Sequence, residues 1–126
     1  MKKRILCVPV IAVVLAAVAE LSPAQTPVGT AFTYQGQLKQ SGVPVDGSAD
    51  LVFMLFDAAT TPPGNQVGPT LTFDGVGGNP GPVNVASGLF TVPLDFGAGR
   101  FAGDARYLEI AVRYPAGGGG YTTLSP

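Results

Sequence analysis

An all-β domain, folded as an antiparallel sandwich of about five to seven strands, is what this sequence predicts. Three observations carry the prediction. Gly (18) and Pro (12) approach a quarter of the 126 residues, and they stand between short apolar runs as turn formers do. Several of those runs alternate apolar and polar residues with the period of a half-buried strand. The most apolar run past the N-terminus spans only eight or nine residues between turn formers, the length of a strand and short for a helix. The length suits one domain, and neither an internal repeat nor a heptad pattern is present. The sandwich is expected to be immunoglobulin-like or similar, preceded by a helical signal peptide.

Residues 1–24 form the expected signal peptide. Lys2, Lys3 and Arg4 make a positive start, and residues 5–19 follow without a charge. That run is short of the roughly 20 residues that cross a bilayer. Two small-x-small sites fit cleavage, one ending at Ala19 and one at Ala24, and the second is preferred. An uncleaved anchor is the alternative. Cys7 lies inside the leader without the small residues that precede a lipoprotein cysteine. Residues 25–30 are a polar lead-in bearing Pro27 and Gly29.

The sandwich is expected over residues 31–126. In 31–39, Phe32, Tyr34, Gly36 and Leu38 share one face, and Thr33, Gln35, Gln37 and Lys39 the other. Residues 40–48 read as a turn holding Val43 and Val45. In 49–57, Leu51, Phe53 and Leu55 point one way and Val52, Met54 and Phe56 the other. Both faces are apolar, so this strand is expected to be central and covered on both sides. Residues 58–68 are a loop, 69–74 a short strand with Leu71 and Phe73 on one side, and 75–82 a second loop.

Residues 83–96 hold two runs broken at Ser87-Gly88. Phe90, Val92, Leu94 and Phe96 line the inner face of the second, whose Pro93 marks an edge strand or a bulge. Phe101 is expected to tuck under the loop 97–103. In 106–114, Leu108, Ile110, Val112 and Tyr114 point inward, and Tyr107, Glu109, Ala111 and Arg113 outward. Gly117 to Gly120 make a hairpin turn, and 121–124 return as a strand. Phe53, Leu55, Phe90, Val92, Leu108 and Ile110 are expected to share one core. Lys39 and Arg113 are expected on the surface, where their loss costs little.

Composition excludes much chemistry. The chain has no His and one Cys, which departs with the leader. Without them, most nucleophilic and metal constellations cannot be assembled. No disulfide is possible in the exported domain, so its core alone must hold it. Four basic and seven acidic residues remain, a net charge of about −3. There is no basic stripe for nucleic acid.

The remaining candidates are weak. Lys39 beside Ser41 is the one Ser–Lys pair, and ordinary turn composition explains it. Asp46, Asp50, Asp57, Asp74, Asp95, Asp104 and Glu109 are scattered singly in loops or on outward positions, where solvated carboxylates belong. Asp46 and Asp50 flank the best candidate calcium loop, yet it lacks the ligand density of a dedicated one. The glycines at 75–78 and 117–120 lack the strand-to-helix context of a phosphate loop. Tyr107 and Tyr121 are the candidate sugar-stacking aromatics. No catalytic, cofactor-binding or metal-binding residue is assigned, and no enzyme activity and no cofactor are expected.

Three segments carry a resemblance: FTYQGQLKQSGVPVDGSADLVFMLFDA at 32–58, SGLFTVPLDFGAGRF at 87–101 and GDARYLEIAVRYPAGGGGYTTLSP at 103–126. In that order they resemble an N-terminal β-rich domain of large secreted bacterial surface and fibre proteins. Those proteins often end in an endosialidase-type intramolecular chaperone domain, as phage tail spikes do. The resemblance implies a secreted or cell-surface structural or interaction module that is not an enzyme, the N-terminal part of a fibre-like protein. It also implies a chain continuing past Pro126, so that the domain here is cut short at its C-terminus. A carbohydrate-binding module of the cell envelope is the alternative. Expected partners are other envelope proteins, or a second copy paired through the strand edge at 107–114. The membrane enters only through the signal peptide.

Overall fold

The computed structural model describes residues 29–60 and 64–124. The expected leader and most of the lead-in lie outside the described residues. Among the described residues there is no helix, and nine strands run in the order β1 (Phe32–Gln37), β2 (Lys39–Gln40), β3 (Val43–Pro44), β4 (Gly47–Phe56), β5 (Leu71–Phe73), β6 (Val83–Val85), β7 (Leu89–Leu94), β8 (Tyr107–Arg113) and β9 (Thr122–Thr123). All pairings are antiparallel. The count exceeds the expected one partly because 40–48 is a hairpin and not a plain turn. Ser41 and Gly42 both adopt positive φ, 52° and 77°, the geometry that lets two residues join twisted strands. Ser87 and Gly88 do the same between β6 and β7, at φ 50° and 79°.

β4 is central. β8 pairs with it along residues 50–56, while β6 and β5 share its other edge at 47–49 and 51–53. β9 extends this sheet beyond β8, opposite Ala111 and Val112. A separate ladder joins β1 to β7 from Phe32↔Leu94 to Gln37↔Leu89. Its inner residues enter the same core as β4: Tyr34 lies 6.0 Å from Phe53, ring to ring, and Phe90, Val92, Leu94 and Phe96 are buried beside Leu51, Phe53 and Leu55. Gly36 is required here, because a Cβ would collide with the Phe90 ring.

The expected core is present, with Leu108 and Ile110 only partly buried against it. Four expectations need correction. β4 is fully covered on one face only: Leu51, Phe53 and Leu55 are buried, but on the other face Val52, Met54 and Phe56 are half-buried, because among the described residues the loop at Gly117 reaches Asp50 and no second sheet lies across that side. Phe101 is not tucked under its loop; it is 54% exposed and meets the edge of Phe32 at 5.5 Å. Ala111 is buried although the alternation of 106–114 places it on the outward face. Asp50 is not solvated: it is 1% exposed and holds Arg113, which is therefore not an idle surface residue.

Candidate functional site

The half-covered side of the core follows from strand count. The β1–β7 ladder is two strands wide, and the sheet beneath it is wider. β7 lies toward β5, where Pro93 and Leu94 share a groove with Leu71 and Phe73. The C-terminal end of β1 lies toward β8 and β9, where Leu38 and Lys39 share a pocket of about 300 Å³ with Val112, Thr122 and Leu124. Next to β1 on that side, no described strand pairs with it. The side chains of Thr33, Gln35 and Gln37 stand exposed on the outer face of the ladder, and the inward residues Leu108 and Ile110 are half-buried where Leu51 and Phe53 are fully buried.

The direction of the β1 backbone groups can be read from one hydrogen bond. Leu38 N–H donates to Gly88 O at 2.6 Å, toward β7. Amide groups alternate sides along a strand, so the even residues 34 and 36 also face β7. Thr33, Gln35 and Gln37 turn their N–H and C=O groups to the open side. β8 has a second, shorter gap. Leu124 N–H donates to Ile110 O at 2.8 Å, so by the same alternation Leu108 is the next β8 residue whose groups face away from β4.

The other face of the sheet carries a polar node. One carboxylate oxygen of Asp50, Oδ2, accepts from Arg113 Nε at 2.8 Å and from Gly117 N at 2.7 Å, and lies 2.6 Å from Arg113 Nη2. Asp50 and Arg113 are direct cross-strand partners. The Arg113 guanidinium stacks over Tyr121 at 4.7 Å, and its bond to Asp50 raises its pKa. Burial pushes the Tyr121 hydroxyl up. The other Asp50 oxygen, Oδ1, is buried without a partner among the described residues. Nearby, Tyr114 Oη donates to Asp46 O at 2.8 Å, and Ala116 N donates to Ser48 O at 3.0 Å. These bonds fasten the 114–121 connection over the end of β4.

The residues weighed from sequence are dispersed by this fold. Lys39 and Ser41 both line the β1–β9 pocket, but no hydrogen bond joins them among the described residues. Asp46 Oδ1 accepts from Ser87 N at 2.6 Å, and Asp50 is committed to Arg113, so the two acids serve separate structural bonds. Among the described residues no group of three or more potential metal ligands occurs. Asp74 accepts from Val76 N and Asn79 Nδ2, both at 2.9 Å, closing the glycine loop 75–78 on itself. Tyr121 sits at the Arg113 end of β8 and Tyr107 at the other, about 20 Å away along the strand, so they form no common platform.

Three surface carboxylates share a pH signature. Asp57 is held below its ordinary 3.8 chiefly by the Asn65 N–H, Asp74 by Asn79, and Asp95 by the Thr30 hydroxyl. Depressed folded-state values stabilise above the unfolded pKa, and the gain is lost as pH falls through the folded values. The melting temperature, followed by circular dichroism, should therefore hold from neutral pH down to about 4 and decline below it. An increase on acidification would contradict these bonds.

A family model described as Domain of unknown function (DUF8740) matches residues 33–126. Neither a curated protein nor a solved structure matches the chain.

Proposed function

The chain belongs to the DUF8740 family, and on that premise we infer that it is a non-catalytic structural or interaction module of the cell surface, exported by the signal peptide at 1–24. In this reading the two facing ladders are an immunoglobulin-like antiparallel sandwich, and the module forms the N-terminal part of a fibre-like protein. One observation supports an interaction role above the others. Among the described residues a two-stranded ladder faces the wider sheet, leaving backbone groups of β1 and the half-buried side chains of Leu108, Ile110 and Leu124 open to contact. Association by strand edges is a common mode of protein recognition. Scattered acids that are bonded into turns, and the absence of His from the whole sequence, agree with a non-enzymatic role.

Export is tested by expressing the full chain with a C-terminal tag and fractionating the cells. The protein should appear in the envelope or medium with Gln25 as its first residue. Retention in the cytoplasm with Met1 intact would overturn the surface assignment. A carbohydrate-binding role has one supporting observation, the exposed contact between Phe32 and Phe101. Their rings stand 88° apart, which does not make a flat stacking surface. Binding to a glycan array that is lost in Phe101→Ala would favour it nonetheless.

A further inference from the structure

We propose that the open edge of β1 takes up one extended strand from another protein, a strand apolar at every second residue and acidic opposite Lys39. The inference rests on the reading of the domain as an interaction module and names the partner's chemistry.

The backbone supplies the first argument. Thr33, Gln35 and Gln37 present successive donor and acceptor groups spaced for a neighbouring strand, and their side chains are exposed. An extended polypeptide satisfies such a ladder along its length. The side chains supply the second. A strand laid beside β1 would turn alternate residues down onto Leu108, Ile110 and Leu124, which the present layer leaves partly exposed. Its other residues would stand among Thr33, Gln35 and Gln37. Charge supplies the third. The strand segment Phe32–Gln37 carries no ionised group, and Lys39 follows on the outward face beside the β1–β9 pocket, with no salt bridge among the described residues. An acidic residue opposite it complements that charge.

Edges of sheets are usually guarded by Pro or by charge. β7 carries Pro93 on its length, and β8 carries Glu109 and Arg113, with Arg106 just before it. β1 has neither kind of guard. A second copy pairing antiparallel through its own β1 would bring its wider sheet against the first copy's β8 and β9, the side toward which the end of β1 lies. A single strand avoids that conflict.

The probe is the peptide acetyl-Glu-Val-Thr-Val-Thr-Val-Thr-amide, designed to run antiparallel to β1 with Glu opposite Lys39. Amide exchange of the 15N-labelled domain is followed by NMR with and without it. Thr33, Gln35 and Gln37 should slow by about fivefold to tenfold, as one net hydrogen bond each implies. Methylating the threonine nitrogens, which face β1, should abolish the effect; methylating the valine nitrogens, which face away, should not. Lys39→Glu should weaken binding. Equal loss with both methylated peptides, protection at Leu108 instead, no protection at all, or concentration-dependent protection without peptide would each overturn the proposal. A domain that reaches the cell surface but ignores the peptide sinks this inference alone. Cytoplasmic retention sinks the broader reading.

Discussion

Replacing Phe53 with Ala should cost about 3–5 kcal/mol, the range for a buried phenylalanine, and leave little of a small domain's stability. Phe53 is fully buried at the centre of β4. Its ring meets Tyr34 at 6.0 Å in one layer and Phe73 at 5.8 Å on the neighbouring strand, the latter edge to face. β5 and β8 pair with it from both sides, at Leu71 and Ile110. Such a site has little freedom to collapse, so most of the cavity should persist. Ile110→Ala, on the half-covered side, should cost about 1–2 kcal/mol, less than full burial would give. Urea denaturation of both variants checks the contrast. Equal losses would mean that β8 is covered as fully as β4.

Asp50→Ala should cost about 3 kcal/mol, the lower end for breaking a buried pair, since Arg113 retains some access to water. The carboxylate is the acceptor for Arg113 and for Gly117, so its loss unfastens β8 and the 114–121 connection together. Arg113→Ala should also destabilise, by stranding a carboxylate that is 1% exposed. The double variant should be no worse than Arg113→Ala, because its buried charge is gone. Asp104→Ala, at an exposed loop position, should leave the urea midpoint unchanged. An unaltered midpoint in Asp50→Ala would show that the pair carries no net stability.

Much of the fold was legible because period-two alternation reports directly on burial. Phe90, Val92, Leu94 and Phe96 are buried in the phase their sequence displays, and Ser87-Gly88 breaks the run where the hairpin turns. Two features resisted. Apolar residues on both faces of β4 suggested full cover on both sides, yet Val52, Met54 and Phe56 are only half-buried, because composition does not count layers. Asp50 was assigned to solvent by residue type, although it sits within an apolar strand. A charge in that place asks for a partner, but strand order alone could name Arg113, 63 residues away. The open edge of β1 was equally hidden. Its alternation was correct, while the width of its sheet depends on distant segments. Sequence reasoning instead favoured the edge at 107–114, where the gap is narrower.

Residue-by-residue amide exchange of the free domain shows whether the edge of β1 is open. Protection should alternate along the strand: Tyr34, Gly36 and Leu38 protected by β7, with Thr33, Gln35 and Gln37 exchanging near the unprotected rate. Uniform protection from Thr33 to Leu38 would mean that another strand already covers this edge and that it is not open.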